Sequence, residues 1–295
     1  IFSHDARPTG HLADIADSSI IDAAWSGGAG PIMVVTNIKE GGNFDSGLAS
    51  WLLTDEATRN RLIQNIVDTA AEKNYYGVDI DFENVYGGNR EVYNSFLRDL
   101  SEQLHANGLI LTTAIAPKTS ANMKGILYEG HDYAAHGQYA DRITLMTYEW
   151  GYRYGEPQAV APYNQVRRVL QYAVTEIPAG KILMGIPNYG YDWVVGSSSP
   201  ATVVSNVGAI NIAVQNNAQI FFDETSKTPY FNYRDGSGRR HEVWFEDARS
   251  IQAKMDLVRE FELAGVSFWH IGTYFAQAWE VLTANFLVNK IRSPR

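Results

Sequence analysis

Short apolar segments rich in β-branched residues alternate with longer segments of helical periodicity along most of this chain. Seven segments have the length and composition of buried strands, namely 1–3, 31–36, 77–83, 109–115, 143–148, 182–186 and 266–271. Between them, apolar residues recur at helical spacing, as in Leu62, Ile63, Ile66, Val67 and Ala70. Strands that alternate with helices at this spacing predict a parallel sheet covered by helices.

The 295 residues are enough for a single α/β barrel, which commonly occupies about 250 residues. We therefore predict the α/β class, with a (β/α)8 TIM barrel formed by residues 1–190 and 246–295. Closure needs eight strands, so the first is expected either upstream of Ile1 or unrecognised within the chain. Residues 191–245 interrupt the alternation and contain a hairpin pattern around 234–238, which predicts a small α+β, β-rich insertion.

Composition excludes several classes of protein. The chain has 33 acidic against 24 basic residues and a formal charge of −9, which argues against a nucleic-acid partner. It has no Cys, so disulfides, thiolate metal sites and a Cys nucleophile are excluded. No apolar run reaches about 18 residues, so no membrane span is predicted. We expect no cofactor and, by default, a monomer.

One strand carries an unusual pattern of acids. Asp79, Asp81 and Glu83 occupy alternate positions of segment 77–83, so all three side chains share one face of the strand. In a barrel the apolar residues between them pack outward against helices, which leaves the carboxyl groups inside. Because buried carboxylates repel one another and lose hydration, some must be protonated, paired or bound to metal. Ordinary stability does not explain this arrangement.

Three interpretations of the acidic strand remain open. A solvated face of an antiparallel strand also carries alternating acids, without any function. A divalent metal site is a second interpretation, although the sequence lacks the His pairs at one-face helical spacing that metal hydrolases use, and His131 and His136 are expected to be structural. The third is acid catalysis at a glycosidic bond, with Glu83 nearest the strand end and its pKa raised by the neighbouring acids.

The acidic strand and three further motifs resemble those of glycoside hydrolase family 18, the chitinase-like family. Asp79-x-Asp81-x-Glu83 matches the family's D-x-D-x-E signature, and Gly77 matches the Gly that precedes it. Segment 146–149 resembles M-x-Y-D, segment 185–190 resembles G-x-P-x-Y-G, and Trp269 matches the last-strand Trp. Within the family, segments 146–151, 185–193, 116–120 and 131–137 look most like the YaaH-type spore-cortex-lytic N-acetylglucosaminidases.

The resemblance implies a retaining, substrate-assisted mechanism, which departs from the usual scheme of two carboxylates. It implies that Glu83 protonates the leaving oxygen and later activates water. The substrate's own acetamide oxygen is then the nucleophile, and an oxazolinium intermediate forms. Asp81 orients the acetamide, Asp79 tunes Asp81, and Tyr148 donates a hydrogen bond to the acetamide carbonyl.

Five further residues are predicted to bind the sugar. By resemblance, Trp269 forms the floor beneath the cleaved sugar, because a flat ring suits the apolar face of a pyranose. The others follow two predicted strands, and they are Glu149, Trp150, Asn188 and Tyr189. Two departures from the family stand out. Tyr76 replaces the usual Asp before the signature Gly, and Glu149 replaces the usual Asp of the chitinases.

The predicted function is hydrolysis of β-1,4 bonds after N-acetylglucosamine in spore-cortex peptidoglycan. The resemblance implies an N-acetylglucosamine-containing glycan as the partner, and a location in the spore, the cell envelope or outside the cell. A chitinase or chitin-oligosaccharide hydrolase of the same mechanism is an alternative. A carbohydrate-binding lectin on the same barrel is another, although lectins of this family have typically lost the signature Glu that Glu83 supplies here.

Overall fold

The computed structural model describes residues 1–292. Its strands are β1 (His4–Asp5), β2 (Ile32–Thr36), β3 (Ile38–Lys39), β4 (Asn43–Phe44), β5 (Gly77–Asp81), β6 (Ile110–Ile115), β7 (Arg142–Leu145), β8 (Ile182–Pro187), β9 (Gly190–Val194), β10 (Thr202–Val204), β11 (Phe221–Asp223), β12 (Thr228–Arg234), β13 (Arg240–Trp244) and β14 (Gly265–Trp269). Its α-helices are α1 (Ser18–Gly27), α2 (Ser46–Thr54), α3 (Glu56–Glu72), α4 (Arg90–Ala106), α5 (Tyr133–Tyr139), α6 (Tyr163–Glu176), α7 (Asn206–Gln215), α8 (Ala248–Glu260) and α9 (Ala276–Asn285).

Two compact units make up the chain. The first comprises residues 1–145, 173–182 and 289–292, and the second comprises residues 146–172 and 183–288. In the first unit, five parallel strands lie in the order β1-β2-β5-β6-β7, and β3 and β4 form a short hairpin directly after β2. The buried residues of α3 and α4 recur at the helical spacing that the sequence predicts.

The second unit holds two sheets. Strands β8 and β14 are parallel, with Trp269 opposite Pro187. A separate antiparallel sheet has the order β10-β9-β13-β12-β11 and covers the segment between Gly190 and Trp244. The predicted hairpin is confirmed as β12 and β13. One face of this sheet packs on α7 through a buried cluster of Phe231, Val243, Phe245, Ala209 and Ala213. The division into a barrel and a 191–245 insertion stays a prediction.

Several predicted boundaries are wrong by a few residues. The first strand is His4–Asp5 rather than 1–3, and the strands predicted to reach Glu83, Tyr148 and Ile271 end at Asp81, Leu145 and Trp269. Strand β5 ends because its partner β2 ends at Thr36, opposite Asp81, so no further residue of β2 pairs with it on that side. The side chains expected at strand ends therefore lie on the segments that follow the strands.

The helix boundaries follow local capping chemistry. Asp55 caps α3 by accepting a hydrogen bond from the Thr58 N–H at 2.8 Å, and Asp247 caps α8 within a capping box. Helix α8 ends at Glu260, and Glu262 adopts a left-handed conformation with φ of 53°. Among the described residues, no helix is both long and apolar enough to cross a bilayer.

Gly77 is predicted to be intolerant of a side chain, because β5 approaches β6 closely there. A Cβ at this position would lie 2.4 Å from Ile110 Cγ1 and 2.5 Å from the Ile110 carbonyl oxygen. We expect Gly77→Ala to lower the free energy of unfolding by about 1–3 kcal/mol, as overpacking does. Urea unfolding measures this, with Gly88→Ala as the control, since nothing lies within 4 Å of that position. Equal midpoints for the two variants would contradict the prediction.

Candidate active site

The acidic segment has the two-faced arrangement that its alternating pattern predicts. Val78, Ile80 and Phe82 are fully buried, and the Phe82 ring stacks on Tyr93 and Phe96 of α4 at centroid distances of 6.1 and 5.9 Å. The carboxyl groups of Asp79 and Asp81 occupy the alternate positions of β5. Packing of the apolar face against α4 therefore fixes which way the acids of this strand point.

Burial raises the pKa of both aspartates of β5, and the groups around them then act in opposite directions. Burial raises the pKa of Asp79, although its carboxylate accepts a hydrogen bond from the Thr112 hydroxyl, which acts in the opposite direction. Burial raises the pKa of Asp81 well above its usual range, and the charges of Glu83 and Asp79 raise it further. Within the described chain, Asp81 Oδ1 is buried and has no hydrogen-bond partner. An oxygen in that state suits a donor supplied by a bound molecule.

The main chain of Glu83 is held by an asparagine from the neighbouring strand. Asn37 follows β2 directly, and its Oδ1 accepts a hydrogen bond from the Glu83 N–H at 2.9 Å. Its Nδ2 donates to the Glu83 carbonyl oxygen, also at 2.9 Å. Asn84 then takes a left-handed conformation with φ of 56°, which turns the chain away immediately after the acid.

The preceding residue is held from another direction by a buried histidine. His131 Nε2 lies 3.0 Å from the Phe82 carbonyl oxygen, and the Ala116 N–H donates to His131 Nδ1 at 3.1 Å. A carbonyl only accepts and an N–H only donates, so the imidazole is neutral with its proton on Nε2. Burial lowers the pKa of His131 to about 4. The structural role predicted for this histidine is confirmed.

In the second unit, Tyr148 and Trp150 lie on the segment after β7. Tyr148 is half-buried and packs, with Tyr189, against a cluster of Val160, Tyr191, Trp193 and Ala201. The Trp150 N–H donates to the Val160 carbonyl oxygen at 3.1 Å, and the Trp150 carbonyl accepts from Gln158 Nε2 at 2.9 Å. These bonds hold the segment without using either aromatic ring.

Glu149 forms a carboxylate–tyrosine cluster. Tyr189 donates its hydroxyl proton to Glu149 Oε1, and the Tyr191 hydroxyl lies 2.9 Å from the same oxygen. Glu149 adopts a left-handed conformation with φ of 68°, a sparsely populated state for a residue with a side chain. Although part of the residue is open to solvent, packing around the carboxylate raises its pKa, and the tyrosine hydrogen bonds oppose that shift.

Asn188 and Trp269 are joined through the main chain. The Asn188 N–H donates to the Trp269 carbonyl oxygen at 2.7 Å, and its side-chain Nδ2 donates to the carbonyl oxygens of His270 and Thr273 at 3.0 and 2.7 Å. Asn188 is buried, whereas 37% of Trp269 is exposed. The amide donors of Asn188 thus hold the segment after β14, and the Trp269 side chain reaches solvent.

The structure brings the predicted residues together in two sets. Asp79, Asp81 and Glu83 are neighbours in the first unit, and the other predicted residues lie in the second, where Glu149 meets Tyr189 and Asn188 meets the Trp269 main chain. Sequence reasoning missed Asn37 and Thr112, and the available signal was a polar residue directly after one buried strand and another within the next but one. Among residues 1–292, no group of three or more His, Asp or Glu is arranged to hold a metal ion.

The carboxyl ends of parallel strands are where α/β barrel enzymes place their active sites, and the buried carboxylates of this chain lie at such an end. The model of Glycosyl hydrolases family 18 matches residues 35–273. The chain belongs to this family and is a glycosidase that acts on a glycan.

Individual relatives cover nearly the whole chain. It is 46% identical over 292 residues to a cortical fragment-lytic enzyme of Bacillus subtilis, which covers 98% of this chain and 68% of the relative. The structure of the Bacillus cereus spore cortex-lytic enzyme SleL superposes with a TM-score of 0.95 at 42% identity, over 98% of this chain and 67% of that one. A chitinase from Chromobacterium violaceum gives a TM-score of 0.90 at 28% identity, over 97% and 90% of the two chains. These likenesses confirm the predicted α/β fold class and the family resemblance.

Stability is predicted to depend on pH through His131. Its pKa is about 4 in the folded protein and about 6.5 when unfolded, so between these values the unfolded chain binds more protons. The free energy of unfolding should fall by about 3 kcal/mol through this group as pH drops from 6.5 to 4. We expect His131→Gln to lack that loss. Urea titrations of both proteins across this range measure the difference, and parallel stability curves would refute the assignment.

Proposed function

We propose that this glycosidase cleaves β-1,4 bonds after N-acetylglucosamine in spore-cortex peptidoglycan by substrate-assisted catalysis with retention. The similarity to cortical fragment-lytic enzymes over 98% of the chain supports the substrate class. The observation that carries the mechanism is the buried Asp81 oxygen without a hydrogen-bond partner among the described residues. An acetamide N–H of the substrate supplies the donor that this oxygen lacks.

The first step begins with proton transfer from the Glu83 carboxyl group to the glycosidic oxygen. The acetamide carbonyl oxygen of the same sugar attacks C1 as the bond to the leaving alcohol breaks. The product is an oxazolinium ion, whose positive charge is stabilised by the nearby Asp81 carboxylate. A water molecule then attacks C1, Glu83 takes its proton, and the acetamide is restored with the original configuration at C1.

The close spacing of the acids means that they cannot all be ionised at once. A general acid must hold its proton near neutral pH, and mutual repulsion within the acidic segment favours the protonated forms. Asp79 is half-buried and bonded to Thr112, and in our proposal it tunes the charge of Asp81. The pairing of two carboxyl groups with opposite protonation states is the pattern by which many glycosidases separate acid from charge stabiliser.

The second unit supplies the remaining roles in the proposal. Tyr148 donates to the acetamide carbonyl, and the exposed Trp269 ring packs beneath the apolar face of the sugar. Trp150, and the Glu149 carboxylate with its partner Tyr189, bind neighbouring hydroxyl groups or rings. Asn188 contributes chiefly by holding the segment that follows Trp269, because its amide donors already bond that segment. The proposed site of action is the spore or cell envelope.

The second candidate substrate is a chitin oligomer. The chitinase likeness over 97% of the chain favours it, and the same acids serve the same chemistry on that substrate. A lectin function is the third candidate, and it predicts binding without turnover.

Glu83→Gln is predicted to lower kcat by roughly 10²–10⁴-fold, the usual contribution of a general acid. The assay incubates wild type and variant with purified cortex muropeptides and, in parallel, with chitin oligomers, and follows new reducing ends by mass spectrometry. Glu102→Gln is the matched control, since Glu102 is exposed on α4.

Each outcome of this assay separates the candidates. The proposal is supported if wild type cleaves muropeptides and Glu83→Gln does not. If wild type cleaves only chitin oligomers, the mechanism stands but the substrate is chitin. Glycan binding by wild type without turnover of either substrate would favour the lectin. Substrates whose amino group is not acetylated test the nucleophile, because they lack the attacking oxygen and should resist cleavage.

A further inference from the structure

Glu83 lies beyond the reach of the ladder hydrogen bonds that hold the rest of its strand. The pairing of β5 with β2 ends at Thr36 and Asp81, and its pairing with β6 ends at Ile80 and Thr113. Residues past the end of a sheet normally gain conformational freedom. A general acid must instead be held in one orientation, because misplacement of a catalytic group slows the reaction. The main chain of Glu83 therefore needs a different support.

The Asn37 side chain replaces the backbone hydrogen bonds that a neighbouring strand would otherwise make to Glu83. A side-chain amide has the same donor and acceptor as a peptide group. Asn37 uses both on a single residue, accepting from the Glu83 N–H and donating to the Glu83 carbonyl, each at 2.9 Å. The result is the paired exchange of hydrogen bonds that two residues make in an antiparallel ladder.

The amide is itself held rigidly. Asn37 is fully buried, and its second Nδ2 hydrogen is directed to the Asp45 carbonyl oxygen at 3.0 Å. The Asp45 N–H in turn donates to the Asn37 carbonyl oxygen at 3.0 Å. Asp45 caps α2 by accepting from the Leu48 N–H at 2.8 Å, so the amide is anchored to the start of a helix. Because the amide is fixed, the main chain of Glu83 that it binds is fixed as well.

We propose that Asn37 is a positioning residue for Glu83, which fixes the carboxyl group relative to Asp81 by pairing with both main-chain polar groups of the acid. The proposal rests on the proposed function of Glu83 as the general acid. His131 supports the same segment by bonding the Phe82 carbonyl, so the chain is held at two successive residues. Asn37 itself touches no substrate in this proposal.

A double-mutant cycle tests the proposal. We expect Asn37→Ala to lower kcat by about 10²-fold on a methylumbelliferyl oligosaccharide of N-acetylglucosamine, as misplacement of a catalytic group does, with KM changed less than about threefold. In the Glu83→Gln background the same substitution should change kcat less than about threefold, because the group that it positions is already lost. Equal losses in both backgrounds would overturn the proposal.

The leaving group gives a second readout. A dinitrophenyl leaving group departs without a proton, so Asn37→Ala should cleave the dinitrophenyl substrate at within about tenfold of the wild-type rate, a smaller loss than on the methylumbelliferyl substrate. Equal losses on both substrates would indicate a general structural defect and overturn the positioning role. Asn65→Ala is the matched control, since Asn65 donates a comparable hydrogen bond to the Gly10 carbonyl at 2.7 Å. It should leave kcat unchanged on both substrates.

Asn37→Asp keeps the test decisive if Asn37→Ala fails to fold. The carboxylate preserves the volume and still accepts from the Glu83 N–H, but it cannot donate to the carbonyl oxygens of Glu83 and Asp45. It should show the same background-dependent loss. If Glu83→Gln does not lower the rate, the proposed function fails. If Glu83→Gln lowers it but neither Asn37 variant does, only the positioning role fails.

Discussion

Burial of the Asp79 and Asp81 carboxyl groups in one parallel strand is the constraint on which the site depends. A carboxyl group removed from water favours its neutral form, and a second one nearby strengthens that preference. Fully buried apolar residues on the opposite face of β5, with Phe82 stacked against α4, hold the strand so that the acids cannot turn outward. Hydrophobic packing on one face thus maintains unfavourable electrostatics on the other.

The support for this arrangement comes from neutral polar groups. The Thr112 hydroxyl bonds Asp79, the Asn37 amide bonds the main chain of Glu83, and neutral His131 bonds the Phe82 carbonyl. A cation in any of these positions would pair with the acids and lower their pKa values. Neutral donors fix geometry at a smaller electrostatic cost. The site therefore keeps the raised pKa values of its aspartates while its main chain stays ordered.

Much of the fold and the acidic strand could be predicted from the sequence, because periodicity of two and of 3.6 is a local property. The alternation of Asp79, Asp81 and Glu83 with apolar residues sufficed to predict their common face. The ends of the strands were harder to predict from the sequence. Strand β5 ends where its partner β2 ends, and the register between two strands is not a local property. The hydrogen bonds of Asn37 could not be predicted for the same reason, because its partner Glu83 is 46 residues away. The tyrosine pair on Glu149 likewise depends on contacts about 40 residues apart.

Asn37 cannot ionise at any pH that the folded protein survives. A histidine or an aspartate in its place would change its hydrogen bonds as it titrated, so that the location of Glu83 would vary with its degree of protonation. Because the amide does not titrate, the position of the Glu83 main chain does not depend on the protonation state of the residue that holds it. In the proposed mechanism Glu83 loses and regains a proton within one turnover, and the Asn37 amide holds its main chain in the same position in both states.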